Sequence, residues 1–218
     1  NGTFLEKQTR MIRNIVFDMG GVLMVYDPKR FIVRAGITDA SDQALLLKEI
    51  YHHPDWKRMD YGDLNEEEMC ERAKERLPAR LHGVVWELIG RWDVPVIAVA
   101  GMERLLEELK RSGYHLYLLS NASLRQPVYF QKVPGQQYFE GKVISSLEKC
   151  LKPDHRIYEI LLERYHLKAE ECLFIDDMPG NVEAAIELGM RGYHFDGDCK
   201  KLCIAMQEQF GIVFSEVL

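Results

Sequence analysis

The stretch Asn14-Ile15-Val16-Phe17-Asp18-Met19-Gly20-Gly21-Val22-Leu23 decides how the rest of the chain is read. It is a short apolar run, rich in β-branched and aromatic side chains, that ends on one carboxylate and is followed by two glycines. The run is too short to be a helix of its own and reads as a buried strand over residues 11–17. The glycines stop the strand and let backbone approach another group closely. Asp18 is thereby expected at the carboxyl end of a central strand, where open α/β sheets bind their ligands. Taken alone, the stretch reads equally as a plain strand and turn with Asp18 as a cap.

Downstream, helical and strand-like segments alternate. Residues 102–111 read as a helix with Leu105, Leu106 and Leu109 on one face, stopped by Ser112-Gly113. A strand over 114–119 follows. Further strands are expected at 142–144, 172–175 and 192–195, with helices at 154–166, 179–188 and 198–210; Asp154 can cap the first of these. Such alternation predicts an α/β fold, a Rossmann-like parallel sheet with helices on both faces.

Between the first two strands the pattern changes. Residues 22–26 are apolar and lie too close to the first strand for a crossover, so a small hairpin or flap is expected there. From Asp27-Pro28 to about residue 94 the periodicity is helical. Ser41 is a candidate cap for a helix carrying Leu45, Leu46, Leu47 and Ile50, and Asn65 precedes three acids at the start of another. A third helix is expected over 81–92. The stretch YHHPDWKRMDYGDL, residues 51–64, reads either as a surface loop with packed rings or as a specificity loop, and His52-His53 has no acids at ligand spacing. Residues 94–100 read as the return linker. The first ten residues are polar and read as a flexible arm or cloning remnant.

Composition narrows the function classes. The chain has 218 residues, 47% hydrophobic and 28% charged, as in an ordinary globular protein, and a net charge of −6. There is no basic stripe to bind nucleic acid and no apolar run long enough to span a membrane. The five cysteines have no framework or zinc-site spacing: Cys172 reads as core, and Cys199 and Cys203 as reduced thiols on a helix. A cytoplasmic protein is expected.

Three later stretches give Asp18 its meaning: Leu118-Leu119-Ser120-Asn121, Lys152-Pro153-Asp154 and Phe174-Ile175-Asp176-Asp177. Each is weak alone, since Ser-Asn after a strand is a common turn and a Lys before a helix is usually solvated. In this order and context they resemble the four motifs of the haloacid dehalogenase superfamily, mostly Mg-dependent phosphatases. The resemblance covers nearly the whole chain from Met11 onward. It implies a core of residues 11–26 and 96–218 with an inserted all-helical cap domain, residues 27–95; the alternative is that these helices pack on the sheet as part of one domain. It also implies that Asp18 is the nucleophile forming an aspartyl-phosphate, and that Mg²⁺ neutralises the repulsion between carboxylate and phosphate. By the same resemblance Asp18, Asp177 and the carbonyl of Gly20 bind the metal directly and Asp176 binds it through water. Ser120, Asn121, Lys152 and the amides of Met19 and Gly20 hold the phosphate. Asn181 stands where many relatives carry another acid and is expected to orient a ligand.

The chain departs from the pattern at Gly20, where most phosphatases of the superfamily carry a second Asp that protonates the leaving group. The branch resembling bacterial glucose-1-phosphate phosphatases also has Gly there, and this chain looks most similar to that branch. A substrate hydroxyl, a water or a cap residue is left to move the proton; Tyr26 and Asp27 are near in sequence. The expected function is hydrolysis of a small phosphorylated metabolite, a sugar phosphate among the candidates, by a monomer or homodimer. The alternatives are a catalytically silent phosphate binder, a phosphomutase and a dehalogenase.

Overall fold

In a computed structural model, the structure describes residues 11–215. The expected arm, residues 1–10, lies outside the described residues. Five strands form one sheet: β1 (Asn14–Phe17), β2 (His115–Ser120), β3 (Phe139–Ile144), β4 (Cys172–Asp176) and β5 (Arg191–His194). Their order is β3-β2-β1-β4-β5 and every pairing is parallel. Phe17 stands opposite Leu118 on one side and Ile175 on the other, so Asp18, the end of β2 and Asp176 emerge at one edge.

The helices follow the two faces of the pleat. Between β1 and β2 come α1 (Pro28–Arg34), α2 (Ala40–Leu46) with a π-helical extension Leu47–Tyr51, α3 (Pro54–Tyr61), α4 (Glu66–Arg76), α5 (His82–Ile89) and α6 (Met102–Arg111). Downstream lie the short α7 (Gln126–Phe130) and α8 (Ser145–Glu148), then α9 (His155–Arg164), α10 (Pro179–Glu187) and α11 (Cys199–Glu208). Ile15, Phe17, Leu116, Leu118, Leu173 and Ile175 enter an apolar cluster with Leu105 of α6 and Leu202 of α11. Val16, Tyr117, Leu119 and Phe174 enter a second cluster with Ile157 and Leu161 of α9 and Ala185 of α10. Strand residues alternate between the two because successive side chains point to opposite faces. No strand occurs from Pro28 to Ile89. The cluster under the sheet runs on through Phe31, Leu46, Met69 and Leu88, so this helical segment has no separate core.

Several expectations are corrected. Residues 22–26 do not fold back as a hairpin. The carbonyl of Met19 accepts from the amides of Val22, Leu23 and Met24, closing a tight turn. The chain then pairs with the return linker: Val25 N donates to Ile97 O at 2.8 Å and Val99 N to Leu23 O at 3.0 Å. Ser41 is not the cap of α2; Asp39 is, accepting from Asp42 N, and Ser41 donates its hydroxyl to Asp39. The Asp39 carboxylate accepts from a free amide of the first turn, and the helix begins two residues earlier than a Ser41 cap would set it. The stretch 51–64 is no loop, since most of it is α3. His53 caps it through Nδ1, Pro54 opens it and left-handed Gly62 closes it. The expected cap at Asn65 is present as a reciprocal capping box with Glu68.

One buried carboxylate fastens α3 to α4. Asp55, 2% exposed, accepts from Arg72 Nε and Nη2 at 2.9 and 3.1 Å and from Arg76 Nη1 at 3.0 Å. The Arg72 hydrogen bonds hold its pKa below the ordinary 3.8 against the opposing effect of burial. A carboxylate depressed in the folded state contributes stability above its unfolded pKa and loses it as pH falls through the folded value. Asp55→Asn is expected to cost about 1–3 kcal/mol at pH 7. The gap from the parent should narrow when urea unfolding is repeated below pH 3; an equal gap at both pH values would contradict this origin.

Candidate active site

Strand ends and the loops after them converge on a cavity of about 570 Å³ lined by Asp18, Asn121, Lys152 and Asp177, among others. Asp18 follows β1 and is anchored by its amide to Ile175 O at 2.9 Å. Asp176 ends β4, and Asp177 follows it. One carboxylate oxygen from each of Asp18, Asp176 and Asp177 lies within 4.8 Å of the others. Three carboxylates this close repel one another unless cations intervene.

One cation is part of the protein. Lys152 Nζ is 2.9 Å from Asp18 Oδ1, 2.7 Å from Asp176 Oδ2 and 2.9 Å from the carbonyl of Leu119. Its side chain is 1% exposed, and all three ammonium protons have an acceptor. Burial works against its charge, but Asp18 and Asp176 outweigh that, and its pKa lies above the ordinary value. Burial pushes Asp18 up to about 7, with Asp176 and Asp177 adding to the rise and Lys152 opposing it. Asp177 is raised as well, by burial and by Asp176. The site thus carries more negative charge than its own lysine balances.

The loops are fixed by pairwise clamps. Asn121 Oδ1 accepts from Lys152 N at 2.8 Å while its Nδ2 donates to Lys152 O at 3.0 Å, locking the loop after β2 to the lysine. Asn181 donates to both oxygens of Asp176 at 3.1 Å, and Met178 N donates to Oδ1 at 2.8 Å. Asn181 therefore orients an acid of the cluster. Gly21 is required by both conformation and space. Its φ is +81°, and a Cβ there would stand 2.3 Å from Asp177 Oδ2.

The structure brings Asp18, Met19, Gly20, Asn121, Lys152 and Asp177 to the cavity wall, with Asp176 fully buried just behind them. Ser120 is not brought to that wall; it is 1% exposed at the end of β2, in register with Ile144. Asp27 is exposed, caps α1 and does not line the cavity. Tyr26 does line it, and its Cβ, Cγ and Cδ2 lie 3.4–3.9 Å from where a Cβ of Gly20 would stand.

The stretch 51–64, expected as either a surface loop or a specificity loop, supplies part of the outer wall as a helix, while its individual wall residues were not foreseen. Tyr51, Trp56, Met59, Asp60, Trp92 and Tyr129 form much of that wall. Trp56, Met59 and Asp60 come from α3, and their i, i+3, i+4 spacing, with His53-Pro54 before and Gly62 after, is the signal that could have shown one helix face. Ser123, also on the wall, donates to buried Glu66 of α4 at 2.5 Å.

Comparison with known proteins agrees with this geometry. A family model described as hydrolase, haloacid dehalogenase-like hydrolase, matches residues 12–189, and the chain belongs to that family. It is 28% identical over 201 residues to the sesquiterpene phosphatase astK of Aspergillus oryzae, covering 90% of this chain and 95% of that protein. It is 25% identical over 194 residues to a D-ribitol-5-phosphate phosphatase of Bacteroides thetaiotaomicron, covering 84% and 91%. Among solved structures, a HAD family enzyme of Bacteroides thetaiotaomicron superposes with a TM-score of 0.68 at 22% identity, over 89% of this chain and 99% of that one. The same enzyme in complex with magnesium and inorganic phosphate gives 0.63 at 22% identity, over 88% and 98%. At that identity these likenesses speak for the fold.

Gly21→Ala is expected to displace the Asp177 carboxylate and to cost about 1–3 kcal/mol through the strained φ. Thermal melting with and without Mg²⁺ checks both effects. The variant should melt lower than the parent and gain less from the metal; a parental response to Mg²⁺ would mean that Asp177 has kept its place.

Proposed function

We propose that the protein hydrolyses a small phosphomonoester by way of an aspartyl-phosphate on Asp18, with Mg²⁺ bound beside it. The enzyme is a phosphoric monoester hydrolase. The observation that carries the finer reading is the meeting of Asp18, Asp176 and Asp177 within 4.8 Å at the carboxyl edge of the sheet, with Lys152 joining Asp18 to Asp176.

The donor set suits Mg²⁺. It is all oxygen and carries a net negative charge, as a hard divalent cation requires. Asp18, Asp177 and the Gly20 carbonyl would hold the ion. Asp176 would act through water, in keeping with both its oxygens already accepting bonds from Lys152 and Asn181. When bound, the metal offsets the charge of phosphate and carboxylate. The rest falls to the chain. Lys152 keeps Asp18 placed and adds a positive charge where phosphate oxygens gather. Asn121 and the amides of Met19 and Gly20 donate to those oxygens. Asp18 then attacks phosphorus in line with the departing alcohol.

Residues 27–95 act as a cap over a core of residues 11–26 and 96–218. This division is supported by the pairing of residues 23–25 with 97–99 where the segment leaves and returns. The rings of Tyr26, Tyr51, Trp56, Trp92 and Tyr129 favour an alcohol with a face to stack, which a sugar ring or an apolar chain both offer. By their names, the two phosphatase relatives above act on a sesquiterpene and on D-ribitol 5-phosphate, the ester of an open-chain polyol. The five cysteines are all unpaired, in keeping with a cytoplasmic setting. No helix among the described residues is long and apolar enough to cross a membrane.

Phosphate release from sugar, polyol, aryl and prenyl monophosphates, with Mg²⁺ or with chelator, tests the reading. The parent should turn over at least one class only with metal. Asp18→Asn should lose turnover by roughly 10⁴-fold or more, as nucleophile replacements do, while melting near the parent. Metal-independent hydrolysis, or an active Asp18→Asn, would remove the reading.

A further inference from the structure

The phosphatase reading leaves one chemical role unfilled. An alkoxide cannot leave phosphorus readily without a proton, and Gly20 has no side chain to give one. Tyr26 backs onto Gly20, so the space beside it is taken by an aromatic ring.

Other cavity groups are committed or unsuited. Lys152 is held by two carboxylates, and Ser123 donates to Glu66. The Tyr51 hydroxyl donates to Leu88 O at 3.0 Å. Burial holds Tyr26 and Tyr129 well above the ordinary phenol pKa, making them poor acids. Asp154 caps α9 by accepting from Arg156 N. Asp18 and Asp177 belong to the metal cluster.

Asp60 remains. It lies in the last turn of α3, half-buried, on the wall of the same cavity as Asp18. Its carboxylate has no hydrogen-bond or ion-pair partner among the described residues, whereas its backbone is firmly held. The Ser145 hydroxyl donates to Asp60 O and accepts from Ala122 N, next to Asn121. Lys149 Nζ donates to the carbonyl of Gly62 just beyond. The end of α3 is thus pinned to the loop that lines the phosphate end of the cavity, with a free acid turned toward it.

The geometry points to Asp60 as the general acid and base of the reaction, supplied by the helical segment in place of the side chain that Gly20 lacks. The assignment rests on the phosphatase reading above. In the first step an Asp18 oxygen forms a bond to phosphorus as the ester P–O bond breaks. The bonding pair passes to the alcohol oxygen, which takes the proton of neutral Asp60. In the second step Asp60 carboxylate takes a proton from water, the water oxygen bonds to phosphorus, and the P–O bond to Asp18 breaks with its pair returning to the carboxylate. Phosphate departs, and both acids regain their starting states. Burial, joined by the charges of Asp18 and Glu66 and opposed by Lys152, raises Asp60 to about 7, a value suited to giving and taking a proton near neutrality.

Asp60→Asn in Mg²⁺ buffer, compared on p-nitrophenyl phosphate and on an alkyl phosphate, tests the assignment. Nitrophenolate leaves without a proton, so the first step should survive and the second should stall. The expected result is a burst of about one nitrophenolate per enzyme, a phosphorylated chain by intact mass, and loss of alkyl ester hydrolysis by roughly 10²–10⁴-fold. Parental rates on both esters, or an equal loss on both without a burst, would overturn the role of Asp60. Should Asp60→Asn melt well below the parent, Asp60→Ser carries the same comparison. A parent that forms no phosphoenzyme, or an Asp18→Asn that still turns over, would instead overturn the phosphatase reading itself.

Discussion

Everything at the catalytic edge depends on one buried ammonium. Lys152 stands between Asp18 and Asp176, which arrive from β1 and β4, and it reaches the carbonyl at Leu119 of β2. Moving such charges out of water costs several kcal/mol per ion after relaxation, and only close pairing recovers it. Three adjacent strand ends are therefore tied to one atom. The register that aligns Phe17 with Leu118 and Ile175 makes those short distances possible. A shift of one residue in β1 or β4 would turn one of the acids to the other face of the sheet and leave the lysine buried with half its charge unmatched.

Polar fixation extends outward in a chain of reciprocal pairs. Asn121 and Lys152 exchange two hydrogen bonds, Asn181 spans both oxygens of Asp176, and Tyr158 of α9 donates to the carbonyl of Asn181. The first clamp ties two loops together, the second ties α10 to the end of β4 and the third ties α9 to α10, so the groups facing the cavity are held before any ligand arrives. This kind of preorganisation lowers the cost of charge development during reaction. The outer wall is different in character. It is built of rings in edge-on and tilted contact, such as Tyr26 with Trp92 at 5.4 Å and Tyr51 with Trp56 at 4.8 Å. The inner half of the site is thus built of charged groups and the outer half of rings.

How much of this could be read from the chain follows from how local each feature is. The strand before Asp18, the alternation after residue 100 and the caps at Asn65 and Asp154 all depend on neighbours within a few residues, and the structure has them. The convergence of Asp18, Asn121, Lys152 and Asp177 was legible because three strand ends and the turn before α9 carried the residues of one known pattern. Ser120, from the same motif, is buried at the end of β2 and is not among the residues of the cavity wall. Asp60 was not legible. Its place on the wall depends on where α3 docks, which Ser145 and Lys149 decide from more than eighty residues away. The helix itself was hidden because two histidines, a proline and four charged residues lowered its apolar content, while a histidine cap and an arginine-bound aspartate made up the difference.

The paired linkers carry a consequence for how this architecture varies. Residues 23–25 and 97–99 run side by side with backbone hydrogen bonds between them, so the helical segment departs and returns at points separated by about one strand spacing, roughly 5 Å. A segment whose ends are already joined exerts little pull on the scaffold, whatever its length. Its length is therefore not set by the register of β1 against β2 and β4, although its helices share one apolar cluster with the sheet and have to keep that packing. The tie between the linkers thus separates the length of the helical segment from the geometry of the strand ends.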